Sequence, residues 1–462
     1  MWKKLSAVAA GVAASSLTAS AGGPSGFFAP PSGANPFAGP VFAAPIHPGP
    51  GTVPLPTNAG PMVAPVLLPV GSPTAAPVNV YQNTVPTLIP TTVPPGSVDT
   101  PIPTTVPSDC TAPACPTGKI WASADFFYGA TQGTYLPPLV TLAPPGSPPL
   151  SGGLGTPTTL VQFGGRREGN ATRPGGQIRV GYWFDDAQTR GFDAGLSFLG
   201  DLNESYLGTT APGGVVLAQP VVNGLTGANF GATVGSLVPG GISASFSTET
   251  IGANSNYRRA LVRSDCQRLD LLVGFRYVYL GDDVTVATTS AVTAAGAGAG
   301  ALPLAASVLT VDSFRTRNNF YGPQLGFASS RKLGGGFSLD LLAKVALGVT
   351  VTDADVSGST STFVGGVQAT SLPVGLLAGP TNAGSYSSAD FAVVPEAGLK
   401  VGYDVTDHFR VSFGYSLVYW SRVRRAPEQI DLTVLAPGRP AYRDQATDVW
   451  IQGITMGCDW RY

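Results

Sequence analysis

The chain is expected to form an all-β, antiparallel, up-and-down transmembrane barrel of about ten strands. Three observations carry that expectation: a two-residue hydropathic period, alternating long and short connections, and a last strand that ends on an aromatic residue. From Thr447 to Tyr462 one face carries Ile454, Met456, Cys458, Trp460 and Tyr462, and the other Thr455, Gly457, Asp459 and Arg461. Successive side chains of a strand point to opposite faces, so this segment has one greasy and one polar side. A membrane barrel wall requires that division. Trp460 and Tyr462 are the candidate insertion signal, read by the barrel-assembly machinery through this strand. Taken alone, the segment also suits an edge strand of a soluble sandwich.

Composition narrows the choice. The 462 residues include 60 Gly and 43 Pro, and only 11% are charged, far from ordinary globular usage. A net charge of −1 leaves no clustered basic surface, so no nucleic-acid partner is expected. Mean hydropathy is +0.18, yet beyond the amino terminus no apolar run approaches the ~18–20 residues of a membrane helix. Hydrophobicity spread thinly along alternating segments is compatible with barrel strands.

The elements follow in order. Lys3 and Lys4, the apolar or small stretch Leu5 to Leu17, and Ala19-Ser20-Ala21 read as a cleavable secretory signal peptide over 1–21. Its alternative is an uncleaved anchor. Residues 22–118 hold more than half of the 43 prolines and two charged residues, Asp99 and Asp109. Proline removes backbone donors and fixes φ, so this stretch is expected to be a disordered, semi-rigid polyproline spacer. Nothing in it identifies a partner. Cys110 and Cys115 are close enough in sequence to close a small disulfide loop in an oxidising compartment. With two histidines, His47 and His408, and no CxxC pair, neither metal nor cofactor is expected.

From Lys119 to Tyr462 the period of two dominates. The segments expected as strands are 119–129, 174–184, 189–200, 243–260, 267–290, 309–330, 336–357, 390–403, 408–425 and 447–462. In 267–290, for example, Leu269, Leu271, Val273, Phe275, Tyr277 and Tyr279 alternate with Arg268, Asp270, Gly274 and Arg276. The 243–260 segment is the weakest, because neither face is clearly apolar. A tight turn at Gly281-Asp282-Asp283 would raise the count to twelve. Long connections (130–173, 201–242, 291–308, 358–389, 426–446) alternate with short links around 185–188, 263–265, 331–335 and 404–407. Outer-membrane barrels have that asymmetry, with short periplasmic turns and longer external loops. Several segments exceed the ~9–11 residues needed to cross, so their outer ends should protrude as hairpins. Tyr182, Trp183, Tyr277, Tyr279, Tyr403, Tyr415, Tyr419, Trp420 and Trp450 fall near strand ends, where amphipathic rings suit the headgroup boundary. The long loops, such as Ala294 to Gly300, are rich in Gly, Ser, Thr and Ala; covers, gates and adhesion surfaces remain open for them.

The polar faces are heavy in glycine with sparse charges of both signs, a texture that suits a confined lumen better than an open surface. They would turn Arg179, Arg268, Arg276, Lys344, Lys400, Arg410 and Arg461 inward, with Asp193, Asp270, Asp340, Glu396 and Asp459. Buried charge is costly unless paired or hydrated. The set therefore lines either a narrow hydrated pore or the interior of a filled, rigid barrel. Both stay open at ten or twelve strands, whereas a large diffusion pore is typical of sixteen to eighteen. Catalysis is not expected. General-base work falls most often to histidine, and the two here sit in the spacer and at a short link.

Several motifs in one order carry a family resemblance. They are Pro137-Pro-Leu-Val-Thr141, Gly153-Leu-Gly-Thr-Pro157, Phe163-Gly-Gly165, Gly175 to Trp183, Gly274-Phe-Arg-Tyr277, Asn318-Asn-Phe-Tyr-Gly322, Phe391 to Glu396 and Gly414 to Ser421. Over roughly 119–462 the chain resembles the "putative beta-barrel porin-7" family. The resemblance implies a barrel in outer-membrane lipid and transfers no catalytic residue. It leaves two expected functions: passive passage of small solutes or ions through a narrow polar lumen, or a closed structural or adhesive envelope barrel.

Overall fold

Ten strands of alternating direction close into a barrel in a computed structural model that describes residues 118–462 except 149, 212, 235–238 and 292–305. The signal peptide, the Pro-rich spacer up to 117 and the Cys110–Cys115 loop lie outside the described residues. The strands are β1 (Ile120–Thr131), β2 (Arg173–Trp183), β3 (Arg190–Thr210), β4 (Gly240–Arg263) and β5 (Gln267–Ala291), followed by β6 (Ala306–Gly334), β7 (Phe337–Val364), β8 (Gly384–Asp404), β9 (Phe409–Val423) and β10 (Thr447–Arg461). Each pairs antiparallel with its neighbour in sequence. Closure comes from β10 on β1, in register from Trp121↔Arg461 to Thr131↔Ile451. The twelve-strand alternative fails because β5 runs unbroken through Gly281, Asp282 and Asp283, paired on both sides.

Short turns occupy one end. Asp185 ends the first link, accepting the backbone N–H of Thr189 at 2.7 Å and of Arg190 at 2.9 Å. Between β6 and β7, Gly335 and Gly336 sit at φ +60° and +84°, a conformation that side chains with a Cβ resist. Cys266, in the link between β4 and β5, is disulfide-bonded. Cys458, on the outer face of β10, is a free thiol.

The outer face of the wall, from these turns up to the level of Phe391, is apolar and uncovered. Phe391 is 67% and Leu196 63% exposed, values that water would penalise and lipid would not. No described helix is long and apolar enough to cross a membrane, so crossing falls to the strands.

The strands differ greatly in reach. β1 has 12 residues, but β6 has 29. At ~3.3 Å per residue β6 runs roughly 95 Å, about three times the ~30 Å hydrocarbon thickness. Above the lipid band the pattern inverts. Ile242, Ala244 and Phe246 of β4, Val284 and Val286 of β5, Phe314 of β6 and Val356 of β7 are buried on the inner face. A bulge in the neighbouring β3, where Leu199 to Leu202 face Thr250 to Thr248, marks the height at which the two regimes of β4 meet. Its lower half turns Ile251 and Tyr257 outward. Two opposed patterns in one strand explain why 243–260 shows no clear apolar face in sequence.

Something must cover the tall inner wall, and the long loops do. Thr433–Val434, Val216–Asn223, Val140–Ala143 and Leu160–Phe163 join, with Asn229–Val234, in a five-stranded sheet. Leu136, Leu139, Val221, Leu377 and Ile430 from these loops pack with the wall residues in one apolar core. A 3₁₀ turn, Ala426–Gln429, is buried at its base.

One carboxylate organises the last loop. Burial pushes the Asp431 carboxyl up, but Arg439 and the N–H groups of Ala441 and Thr433 outweigh it and hold it below its ordinary value. A depressed carboxylate contributes stability above its unfolded value near ~4 and loses it as pH falls through the folded value. Loop 424–446 should therefore become protease-sensitive on acidification below that range. Asp431→Asn should abolish the pH step, and a step that persists in the variant contradicts this.

Candidate functional site

The inner face of the lower barrel is a ladder of charge. At the turn end Arg410 pairs with Asp340 and lies 4.0 Å from Asp459. Arg461 reaches Asp404 at 3.9 Å on the rim. Lys400 donates to Asp125 at 2.6 Å, three strands away around the wall, so this pair spans the bore. Arg268 binds Asp270 at 2.9 Å. Asp193 accepts from Asn256 at 2.9 Å, and Asn256 in turn accepts from Gln324 at 2.6 Å.

One step deeper, Lys344 and Glu396 are register partners on β7 and β8, 2.9 Å apart. Arg276 on β5 crosses the bore to the same carboxylate. Arg179 also lines the interior, with its Nε buried and unbonded.

Several interior residues were not legible from periodicity. Arg258 sits between Asp193 (3.3 Å) and Asp270 (3.1 Å), on the strand whose pattern is inverted halfway. Its guanidinium carbon lies 5.2 Å from the Trp121 ring and 5.5 Å from Trp183, and that of Arg268 lies 4.1 Å from Trp183. Trp183 is therefore a buried cation platform and not a headgroup anchor. Asp125 was missed because its segment was not resolved into faces. Trp121, an aromatic beside it on the inner face, was the available signal.

Glycine makes the ladder possible. A Cβ on Gly402 would stand 2.0 Å from Arg410 Nε, and one on Gly457 1.9 Å from Asp125 Oδ1. Long charged side chains thus lie flat across bare backbone. Gly402→Ala should dislodge Arg410 from Asp340 and cost about 1–3 kcal/mol, read as a lower temperature of heat modification. An unchanged midpoint would argue against the packing.

Above the charges comes a dry layer. Val278 and Leu280, Phe320, Ala346, Ala392 and Val394, Trp420, Val423 and Val449 project inward from β5 to β10 and pack together. Trp420 is 1% exposed, meets Phe320 edge-on at 6.3 Å and donates its Nε1–H to Thr350 at 2.8 Å. It packs in the interior and is not part of a boundary girdle, which corrects its assignment from strand-end position.

The loop core is anchored just beyond this layer. Arg425 forms a two-point pair with Asp282, at 2.5 and 3.2 Å, both side chains fully buried. Arg424 pairs with Asp390 and Asp444. Asn318 donates to the Arg424 carbonyl at 2.8 Å and accepts its N–H at 2.9 Å. Below the dry layer remains a cavity of about 330 Å³ at the turn end, reaching from Asp265 and Arg461 up to Arg179 and Glu396. No group of three or more metal-binding side chains occurs among the described residues.

No curated protein matches the chain. Among solved structures, the outer membrane protease OmpT from Escherichia coli is similar at 11% identity and TM-score 0.36, over 76% of this chain and 100% of that one. The Pseudomonas putida toluene transporter TodX is similar at 8% identity and TM-score 0.18, over 76% and 91%. A Pseudomonas aeruginosa FadL homologue gives 7% identity and TM-score 0.20, over 74% and 90%. Residues 121–462 match the family described as "Putative beta barrel porin-7" (BBP7), and with its closed ten-stranded wall the chain belongs to that family of outer-membrane barrels.

Proposed function

We propose that the protein is an outer-membrane barrel with an occluded lumen, serving envelope structure rather than open diffusion. The dry layer around Trp420 and Phe320 carries this reading. Its side chains, from β5 to β10, lie between the charged lower compartment and the loop core, and an ion passing there would lose much of its hydration. Ion pairs that span the bore below, Arg276–Glu396 and Lys400–Asp125, narrow it further. The exposed apolar wall suits outer-membrane lipid as its surroundings, and the C-terminal strand ending on Trp460 and Tyr462 suits recognition by the assembly machinery. Catalysis forms no part of this reading.

A second reading is porin-like passage of small solutes or ions. Family membership and the charged lower compartment favour it. It requires loop 424–446 to leave its seat on Asp282. Conductance of the purified full chain in planar bilayers separates the two. Folded, heat-modifiable protein that inserts and stays electrically silent supports occlusion, whereas discrete ionic steps from the wild type reject it.

A further inference from the structure

The lower cavity carries a charge imbalance that the wall does not resolve. Asp125, Asp193 and Asp270 each have a cation beside them, and Asp340 and Asp459 share Arg410. At the upper end, by contrast, Glu396 is shared by Lys344 and Arg276, and the charge of Arg179 also reaches it. Three cations thus surround one carboxylate. Among the described residues no hydrogen bond or ion pair holds the Arg179 guanidinium, and its Nε is buried without a partner. Enclosed positive charge without a counter-charge is costly. The cavity that Arg179 and Glu396 line is about 330 Å³, within the range of small-ligand sites, and opens at the turn end.

We infer that this cavity is a binding site for a small oxyanion, a carboxylate or phosphate group, with Arg179 as its principal ligand. The guanidinium offers paired N–H donors to such a group. Arg258, stacked between Trp121 and Trp183, is already committed to Asp193 and Asp270 and forms the side of the site. An anion seated there would bring the local charge close to balance without disturbing the existing pairs. The inference is independent of whether the lumen conducts, because the cavity lies wholly on one side of the dry layer.

Titration calorimetry of the full chain in detergent, with inorganic phosphate as the probe and chloride as the control, tests this. Saturable phosphate binding is expected, weakened about tenfold by Arg179→Gln, the loss of a charge-assisted pair. Arg179→Lys keeps the charge but loses the fork, and should bind more weakly than wild type even if the Gln variant does not fold. Arg315→Gln, on the upper wall and outside the cavity lining, should bind as wild type does. No saturable binding by the wild type, or equal affinity in wild type and Arg179→Lys, overturns the assignment.

Discussion

Arg425→Ala is expected to destabilise the folded protein by about 3–5 kcal/mol, the cost of leaving one member of a buried ion pair alone. Asp282 would then be fully buried with its two-point partner gone, and the Arg425 donation to the Gln132 carbonyl at 3.1 Å would vanish as well. Against a net stability of about 5–15 kcal/mol typical of folded domains, that loss should release loop 424–446. Limited proteolysis should then cut within that loop before the barrel itself melts. The decisive comparison is Arg425→Met with Asp282→Leu, which removes both charges. It should recover most of the stability, because no unpaired charge remains. A double variant as fragile as the single would mean that the pair is not what seats the loop.

Trp420→Ala should cost a similar ~3–5 kcal/mol, combining lost apolar burial with a cavity that the rigid wall cannot close. Trp420 fills the middle of the dry layer, and Thr350 would lose its donor. The readout is the temperature at which the protein shifts from fast to slow migration on a gel. A midpoint within a degree or two of wild type would show that the layer is not packed as described.

The lower barrel was legible because lipid imposes the simplest pattern a strand can carry. Wherever a strand touches lipid, as at Phe192 to Phe198 or Leu269 to Phe275, the apolar face shows directly in alternate residues. The inverted upper halves defeat that signal. Val284 and Val286 point inward in the same strand that turns Val273 and Phe275 outward, so the two faces average out. Trp183 and Trp420 misled because strand-end position says nothing about which side a ring takes. The loop core was illegible for another reason. Leu136, Leu139, Leu377 and Ile430 lie in segments with no period, and only the assembled sheet brings them together. Charge could be placed by parity along a strand, but its pairing could not. Arg276 meets Glu396 across the bore, a contact between strands 120 residues apart in sequence.

Everything rests on one wall having lipid outside and an enclosed interior within. Spin labels placed singly at 192 to 198 along β3, in protein reconstituted into vesicles, measure this through relaxation by oxygen and by a water-soluble nickel chelate. Oxygen access should peak at 192, 194, 196 and 198, with both reagents excluded at 193 and 195. A uniform profile, or nickel access highest at the even positions, would contradict the wall described here.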